Sequence, residues 1–297
     1  MSSETHRFSG CMVAMVTPMK ADGSVDAAAL ERLVEFHSDQ GTDAIVVTGT
    51  TGESATLDHT EHCDVVRKVA TVAAGRLPII AGTGSNATAE AIELTRCAQQ
   101  AGADAALLVA PYYNKPTQEG LYRHYRAIAE AVPIPQILYN VPGRTAVDIL
   151  PETVNRLADI DNIVGIKEAQ GTVDRARELI ALCGDRIAVY SGDDPNARDT
   201  ILAGGRGVVS VTANVAPALM QRMCAAALAG DAAAAARYDA RLAPLHRALF
   251  IEPNPIPAKW ALAEMNKIAR GIRLPMTWLS AAHHDTVRRV LNDLALL

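Results

Sequence analysis

One lysine in this chain lies where covalent chemistry is expected. Lys167 falls within residues 162–169, a largely apolar run that predicts a buried strand. Lysine is almost never fully buried unless it has a partner or a task, and burial lowers its pKa because it disfavours the ammonium form. The neutral amine that results is a nucleophile, able to form a Schiff base with a carbonyl substrate. A lone lysine of this kind more often reaches water from the end of a strand, so a chemical role needs support from other residues.

Polar residues and glycines follow several other apolar runs at the point where each predicted strand ends. They form the segments 49–54 (GTTGES), 111–116 (PYYNKP), 139–145 (YNVPGRT) and 191–194 (SGDD). Tyrosine and threonine hydroxyls can both donate and accept, so they could form a proton relay for imine chemistry. N–H groups beside Thr50 and Thr51 could hold one carboxylate, and the guanidinium of Arg144 a second. Taken singly, the tyrosines could pack, the glycines turn, and Arg144 be a surface charge. Together these residues predict an enzyme that forms an imine on its lysine and binds small substrates with two carboxylates between them.

Eight short apolar runs rich in valine and isoleucine predict strands that alternate with helices. The runs are 11–17, 44–48, 78–82, 105–110, 135–139, 163–167, 187–191 and 207–211. Continuous apolar runs are typical of parallel strands that are covered on both faces. Eight such units over about 220 residues predict a (β/α)8 TIM barrel of the α/β class, whereas a doubly wound sheet would usually have fewer strands. Active sites of such barrels lie at the carboxyl ends of the strands, where the polar segments would meet.

Helical segments fill the intervals between strands and continue past the last one. The predicted helices include 26–40, 58–74, 88–101 and 117–131, with N-cap signals at Thr88 and Thr172 and a first-turn proline at Pro151. After residue 214 the strand pattern stops, and the segments predicted as helices are 216–229, 231–250, 257–270 and 281–296. We therefore expect a barrel domain over residues 1–230, which carries the active site, and a C-terminal helical domain over 231–297.

The composition gives no support to a nucleic-acid or membrane partner. Of the 297 residues 49% are apolar, enough for a large core, and the formal net charge is −5 without a basic patch. No run of about 18 apolar residues predicts a membrane span, and residues 1–10 lack the apolar segment of a secretory signal. The five cysteines are scattered, so neither a disulfide framework nor a thiolate metal site is indicated. A reduced, cytoplasmic location fits this pattern.

The motifs resemble those of the dihydrodipicolinate synthase family, within the pyruvate-dependent class I aldolase superfamily. The resemblance covers essentially the whole chain and, beyond the segments already given, includes 165–169 (GIKEA), 208–214 (VVSVTAN) and 252–255 (EPNP). The lysine and GTTGE elements look similar across the superfamily, whereas Arg144 within VPGRT is the more specific mark of the synthases. The catalytic positions show no departure from the synthase pattern.

The resemblance also implies a reaction. Members of this family condense pyruvate with L-aspartate 4-semialdehyde to give 4-hydroxy-tetrahydrodipicolinate, the first committed step of the diaminopimelate route to lysine, and they are carbon–oxygen lyases. Lys167 would form the imine, and the proton relay would comprise Tyr139, Thr50 and Tyr113. The substrate-binding residues would be Thr51, Arg144, Val209 and Gly192. No metal or organic cofactor would be needed, because the lysine itself acts as the electron sink.

Regulation and assembly follow from the same resemblance. L-Lysine would inhibit the enzyme at a separate site, for which the matching positions are Ser54, Ala55, His59, His62, Asn86, Glu90 and Tyr112. An ordinary solvated rim would also account for these residues, although Glu90 could pair with an ammonium group. Tyr113 would reach the relay from a neighbouring subunit of a homotetramer arranged as a dimer of dimers.

Other functions are compatible with parts of the sequence. Residues 82–87 (GTGSNA) fit a loose dinucleotide fingerprint, but the strand count argues against a Rossmann sheet. His59 and His62 could be metal ligands, although no cluster of further ligands is nearby. Another pyruvate-dependent aldolase or dehydratase, such as one similar to N-acetylneuraminate lyase, is the main rival. A non-enzymatic barrel would be marked by loss of Lys167, which this chain retains.

Overall fold

The structure is a computed structural model that describes residues 7–297, and within them eight parallel strands form a closed barrel. The strands are β1 (Gly10–Ala14), β2 (Ala44–Val47), β3 (Ile79–Gly82), β4 (Ala105–Val109), β5 (Gln136–Asn140), β6 (Ile163–Glu168), β7 (Ala188–Ser191) and β8 (Gly207–Ser210). Each strand pairs with its neighbours in chain order, and β8 closes against β1, where Val208 is the partner of Cys11. The predicted (β/α)8 barrel and its strands are confirmed. The prediction about residues 1–10 concerns a segment whose first six residues lie outside the described range.

The strands are buried on both faces. Met12, Val46 and Val209 belong to an apolar cluster inside the barrel. Ile45 and Leu108 belong instead to clusters formed between the strands and the surrounding helices. Because both faces are covered, the strands occur in the sequence as continuous apolar runs rather than as alternating ones.

Twelve helices of the described residues surround and extend the barrel. They are α1 (Ala27–Asp39), α2 (His59–Ala73), α3 (Thr88–Gln100), α4 (Gln118–Ala131), α5 (Pro142–Thr145), α6 (Pro151–Leu157), α7 (Val173–Cys183), α8 (Ala197–Leu202), α9 (Pro217–Leu228), α10 (Ala232–Ala248), α11 (Ile256–Glu264) and α12 (Ala281–Asp293). None of them is both long enough and apolar enough to cross a bilayer.

Two of the three predicted helix starts are confirmed. The Thr172 side chain caps α7 by accepting a hydrogen bond from the Arg175 N–H, and Pro151 is the first residue of α6. The capping role predicted for Thr88 is wrong, because Thr88 is itself the first residue of α3. Its hydroxyl lies 3.0 Å from Nδ1 of His124 on α4, so a tertiary contact engages the group that would have capped the helix.

The C-terminal helices share the apolar core of the barrel. Leu242 of α10 and Trp260 of α11 lie in the same buried cluster as Val13 of β1. The helix predicted over 257–270 is wrong at its end, because α11 stops before Asn266, whose backbone has a φ of 56°. A left-handed residue of this kind cannot continue a right-handed helix.

A buried ion pair joins α11 to the loop that follows β2. Lys259 Nζ contacts Glu53 Oε1, and Glu53 Oε2 accepts a hydrogen bond from the Arg273 N–H at 3.1 Å. Lys259 is fully buried, and this burial lowers the pKa of its ammonium while the Glu53 carboxylate raises it. Buried charges are stable in proteins when they are paired and hydrogen-bonded. The ion pair therefore ties the loop after β2 to the C-terminal part of the chain.

Two of the cysteines are paired. Cys63 of α2 and Cys97 of α3 form a disulfide, with Cα atoms 6.1 Å apart. The scattered spacing of the cysteines indicated no disulfide, and that prediction is wrong for Cys63 and Cys97. Its members are 34 residues apart in a pattern without a motif, and they meet only because α2 and α3 are neighbours around the barrel. Cys11, Cys183 and Cys224 are free and buried.

Candidate active site

A cavity of about 140 Å³ lies at the carboxyl ends of the strands. Its polar lining consists of Thr50, Thr51, Tyr139, Arg144, Lys167, Asp193 and Asn254. All but Asn254 come from β2, β5, β6 and β7 or from the loops and turns that follow these strands. The barrel thus brings residues that span more than 140 positions of sequence to one small space, which we name the barrel-mouth cavity.

Lys167 lines the barrel-mouth cavity from the carboxyl end of β6. It is the residue before the end of β6, and its side chain is nearly buried, with 6% of the residue exposed. Burial lowers the pKa of its ammonium to about 7, while Asp194 raises it and Arg144 lowers it. At neutral pH a substantial fraction of the lysine is therefore a free amine, whereas an ordinary lysine is almost entirely protonated. This is the state that attacks a carbonyl carbon.

Tyr139 lies beside this amine because their strands are adjacent. Tyr139 on β5 is the register partner of Lys167 on β6, and the Lys167 Nζ atom is 4.0 Å from the centre of the phenol ring. Burial raises the pKa of Tyr139 to about 12, while Arg144 and the Thr50 hydroxyl lower it. The phenol is therefore protonated at neutral pH, so it can donate a proton and recover one.

The loop after β2 is held from two sides. The Thr51 hydroxyl accepts a hydrogen bond from Asn254 Nδ2 at 2.9 Å, and the Thr17 hydroxyl donates to the Gly52 carbonyl at 2.7 Å. A Cβ at Gly52 would lie only 3.2 Å from that Thr17 hydroxyl, so glycine permits the close approach. The backbone beside the cavity is therefore fixed, which suits it to holding a small anion through its N–H groups.

Arg144 reaches the edge of the cavity from the short helix α5. Its Nη2 atom donates to the Asn254 carbonyl at 3.3 Å. The Thr145 hydroxyl donates to the Val147 carbonyl at 2.9 Å, and the Thr145 N–H donates to the Val141 carbonyl at 3.1 Å, so the turn that carries Arg144 is fixed. A guanidinium placed in this way can offer its remaining donors to a carboxylate.

The two other predicted substrate-binding residues differ in position. Gly192 lines the cavity, and a Cβ there would lie 3.1 Å from Lys167 Cε, so the glycine lets the loop after β7 pack against the lysine. Val209 is buried in the middle of β8, inside the barrel and away from the cavity lining, where Val211 lies instead.

Tyr113 is at the surface and does not line the barrel-mouth cavity of its own chain. It is 88% exposed, and its backbone has a φ of 76°, which is uncommon for a bulky residue. Its N–H donates to the Thr145 carbonyl at 3.4 Å. The structure therefore places Lys167, Tyr139 and Thr50 together and leaves the third predicted relay residue facing outward.

A second cavity, of about 360 Å³, adjoins the first, and we name it the rim cavity. Six of the seven residues predicted for an effector site line it: Ser54, Ala55, His59, His62, Glu90 and Tyr112. Asn86 is not part of the lining, because its side chain donates to the Tyr112 carbonyl at 3.2 Å. Ser85, which was not among the residues predicted for the effector site, lines the cavity and donates a hydrogen bond to Glu90.

Two polar side chains of the rim cavity contact one carboxylate, that of Glu90. His59 Nε2 on α2 lies 2.8 Å from Glu90 Oε1 on α3, and hydrogen bonds from Ser85 and His59 lower the pKa of Glu90. His62 is buried, which lowers its pKa, and its Nε2 donates to the Gly82 carbonyl at 2.7 Å. The two histidines therefore make separate contacts, and Glu90 is an anionic group suited to an ammonium ligand.

The barrel-mouth cavity and the rim cavity share a wall. Thr50, Val141 and Arg144 line both of them. A molecule in the rim cavity therefore lies against two of the polar residues predicted to act in the barrel mouth. The two cavities therefore adjoin directly through this wall.

Three residues near the site escaped sequence reasoning. Asn254 appeared only as part of a motif, yet it contacts both Thr51 and Arg144. Asp194 was quoted without a role, although it influences the pKa of Lys167. Glu168 is buried on the opposite face of β6, and this burial raises its pKa to about 7. Glu168 could have been found from the sequence, because it is a second charged residue directly after Lys167 in a strand predicted to be buried. Nothing in the local sequence distinguished Asn254 or Asp194.

Comparison with known proteins gives a consistent result. Residues 7–294 match the model of the dihydrodipicolinate synthetase family. A 4-hydroxy-tetrahydrodipicolinate synthase of Thioalkalivibrio sulfidiphilus is 66% identical over 284 residues, which cover 96% of this chain and 97% of that protein. The dihydrodipicolinate synthase of Acinetobacter baumannii, solved in complex with pyruvate, is 55% identical with a TM-score of 0.96, over 97% of this chain and 99% of the other. The Cyanidioschyzon merolae enzyme, solved with lysine bound, is 41% identical with a TM-score of 0.95, over 98% and 100% of the two chains. The chain therefore belongs to the dihydrodipicolinate synthetase family.

Proposed function

We propose that this protein condenses pyruvate with L-aspartate 4-semialdehyde to give 4-hydroxy-tetrahydrodipicolinate, through a Schiff base on Lys167. The observation that carries the proposal is the buried amine of Lys167, with a pKa of about 7, in a small cavity beside Tyr139. The family shown by the comparisons and the pyruvate complex of the Acinetobacter baumannii relative support it. The reaction is the first committed step of the diaminopimelate route to lysine.

The first half of the reaction activates pyruvate. The neutral amine of Lys167 attacks the keto carbon, and loss of water leaves a protonated imine. Loss of a proton from the pyruvate methyl group then gives an enamine. Thr51 and the N–H groups of its loop would hold the pyruvate carboxylate, because that loop is rigid and lines the cavity.

The second half forms the ring. The enamine carbon attacks the aldehyde carbon of the semialdehyde, whose carboxylate Arg144 would bind. The semialdehyde's amine then attacks the imine carbon and displaces Lys167, which releases the hydroxylated heterocycle. Tyr139 and Thr50 would carry protons between these steps, and Tyr113 would complete the relay from a neighbouring subunit. No metal or organic cofactor takes part in this scheme.

Reductive trapping tests the assignment of Lys167. Pyruvate and borohydride should together add one reduced pyruvate to the protein, and peptide mapping should find it on the peptide that contains Lys167. Lys259 provides a control within the same digest, since it is buried but does not line the cavity. Labelling of another lysine would contradict the assignment, and Lys167→Ala should abolish labelling.

The main rival is another pyruvate-dependent aldolase or dehydratase, such as one similar to N-acetylneuraminate lyase. A coupled assay separates the two, since all these enzymes would form the pyruvate imine. Pyruvate and aspartate semialdehyde with the next reductase of the pathway should consume nicotinamide cofactor, and sialic acid should not be cleaved. Cleavage of sialic acid without turnover of the semialdehyde would favour the rival.

We also propose that L-lysine inhibits the enzyme by binding in the rim cavity. Glu90 offers an anionic partner for an ammonium group, and Ser54, Ala55, His59, His62, Asn86 and Tyr112 complete the assignment made from sequence. Asn86 would act indirectly, through its hydrogen bond to the Tyr112 carbonyl. The lysine complex of the Cyanidioschyzon merolae relative supports this proposal.

The proposed assembly is a cytoplasmic homotetramer arranged as a dimer of dimers. Its support is Tyr113, an exposed aromatic residue that lies outside the cavity in which its hydroxyl is needed. Small-molecule substrates and the inhibitor would be its only partners, without nucleic acid or membrane. We retain the division into a barrel domain over 1–230 and a helical domain over 231–297 as a proposal, with an apolar core common to both.

A further inference from the structure

The residues that follow Tyr139 and Lys167 lie side by side on the outer face of the barrel. Asn140 ends β5 and Glu168 ends β6, and they are register partners, as Tyr139 and Lys167 are one position earlier. Successive residues of a strand point to opposite faces of the sheet, so the side chains of Asn140 and Glu168 point away from the barrel-mouth cavity and do not line it. Both residues are buried. A buried polar pair therefore lies directly behind the two groups that are proposed to react.

One side-chain amide joins the two strand ends. The Asn140 Nδ2 atom donates to Glu168 and lies 3.1 and 3.0 Å from its two carboxylate oxygens. Glu168 Oε1 also accepts a hydrogen bond from the Gln170 N–H at 2.6 Å, which fixes the carboxylate from the other side. A buried polar group that loses its partner costs free energy, so these contacts hold each other in place. The carboxyl end of β5 is thereby tied to that of β6.

The same amide closes the loop that carries Arg144. Asn140 Nδ2 also donates to Asp148 Oδ1 at 2.7 Å, and Asn140 Oδ1 accepts a hydrogen bond from the Ile149 N–H at 3.0 Å. The segment 141–148, which contains α5, therefore begins and ends at one side chain. An asparagine amide offers two protons and an acceptor oxygen, and all three are used here. No other side chain of this length offers the same set.

Asp148 is held in turn by Arg175 of α7. The Arg175 Nη1 and Nη2 atoms donate to Oδ1 and Oδ2 of Asp148 at 3.1 and 3.0 Å, and the arginine side chain is only 14% exposed. A bidentate contact of this kind fixes orientation as well as distance. The four side chains, which we name the amide cluster, are those of Asn140, Asp148, Glu168 and Arg175. They join β5, β6, α7 and the loop after β5.

We propose that the amide cluster positions the reacting groups of the barrel-mouth cavity without touching substrate. Its link through Glu168 sets the separation of Tyr139 from Lys167, because each of these residues precedes a member of the cluster. Its link through the two ends of the loop sets the place of Arg144. This inference rests on the proposed function, since it assigns positioning residues to that reaction. Reacting groups must be held closely, because a misplacement of about 1 Å can cost ~100-fold in rate.

Two substitutions in the full-length protein separate the two links. The value of kcat/KM for each substrate reports only its own half of the reaction, because the pyruvate imine separates the halves. Glu168→Ala cuts the link between the strands, so kcat/KM for pyruvate should fall about tenfold or more. Asn140→Ala cuts both links, so kcat/KM for the semialdehyde should fall about tenfold further than that for pyruvate, as for loss of one hydrogen bond to a charged group. The double variant should be no slower with pyruvate than Asn140→Ala, since that link is already cut.

Gln136→Ala is the matched control. Gln136 is a fully buried amide at the amino end of β5, where its Nε2 atom donates to the Val132 carbonyl at 3.2 Å. Its removal should lower Tm but leave both values of kcat/KM within about twofold, since distant sites act independently. Asp148→Ala replaces Asn140→Ala should the latter fail to fold, because the Asp148 side chain is 29% exposed. It cuts one contact of the loop and should lower kcat/KM for the semialdehyde alone.

The results are expressed per competent site, which the final amplitude of cyanoborohydride trapping of pyruvate counts by intact mass. Variants of the amide cluster that lose Tm as Gln136→Ala does, with both constants unchanged, would overturn the proposal, since a merely structural role predicts that result. Equal losses for the two substrates in Asn140→Ala would also overturn it, because Arg144 would then have kept its place. Failure of the wild type to trap pyruvate would instead overturn the proposed function itself.

Discussion

Replacement of Lys259 tests how the buried ion pair with Glu53 supports the site. Lys259→Met keeps a side chain of similar length but removes the ammonium. The Glu53 carboxylate then remains buried, with the Arg273 N–H as its hydrogen-bond donor. Removal of one partner of a buried pair destabilises a protein by roughly 3–5 kcal/mol, because the remaining charge is uncompensated. The double variant Glu53→Gln, Lys259→Met leaves no charge and should lose about 1 kcal/mol or less.

Thermal unfolding followed by circular dichroism measures the effect. For a chain of this size 1 kcal/mol corresponds to roughly 2 °C in Tm, so Lys259→Met should lower Tm by about 6–10 °C. The matched control is Lys68→Met, which breaks the partly exposed pair with Glu31 and should cost about 1 kcal/mol or less. The KM for pyruvate should also rise in Lys259→Met, because Glu53 ends the loop that carries Thr50 and Thr51.

Two results would refute this reasoning. One is a Tm for Lys259→Met no lower than that of Lys68→Met at the same protein concentration. The other is additivity, in which the double variant loses as much as both single variants together, since a coupled pair must be non-additive. Either result would mean that the pair is not what fixes the loop after β2.

Three further changes test the other assignments. Arg144→Lys keeps the charge but loses the planar fork, so the KM for aspartate semialdehyde should rise about tenfold, corresponding to about 1.4 kcal/mol, with a much smaller change for pyruvate; equal changes for both substrates would point to a structural role. Tyr113→Phe and Lys167→Ala chains, each nearly inactive alone, should regain about a quarter of wild-type activity when mixed in equal amounts, because about half of the dimers would be hybrids with one complete site of two. No recovery, despite subunit exchange shown by native mass spectrometry, would place Tyr113 in the site of its own chain. Glu90→Ala should raise the lysine concentration for half-inhibition by about tenfold while kcat stays within about twofold, since coupling energies are commonly ~1–3 kcal/mol; full wild-type activity in lysine at about 10 mM or more would contradict a regulatory site.

The fold was predictable because its pattern is local. Strands buried on both faces are continuous apolar runs, and eight of them in alternation with helices leave few architectures. Lys167 stood out for the same reason, since a charged residue in such a run is rare. Helix ends were less certain, as Thr88 shows, because its hydroxyl is engaged by a residue of the next helix.

The surroundings of the site were not predictable, because they depend on which distant segments meet. Asn254 lies more than 200 positions from Thr51, and Lys259 is equally remote from Glu53. Cys63 and Cys97 pair only because their helices are adjacent. None of these contacts has a spacing that a sequence pattern could reveal, since the closure of the barrel and the packing of the C-terminal helices against it bring their segments together.

In the proposed assembly, the backbone of Tyr113 would link catalysis to the concentration of the protein. A bulky residue at a φ of 76° stores strain of order 1–3 kcal/mol, and the Tyr113 side chain is 88% exposed within its own chain. In the proposed dimer, contacts with the partner subunit would offset this strain and would also complete the proton relay. The same free energy of association would therefore govern the conformation of Tyr113 and the assembly of the site. Specific activity then becomes a function of enzyme concentration and falls on dilution below the dissociation constant of the dimer. Substrate that bridges the two chains would shift that constant downward, so the active form would assemble where its substrate accumulates.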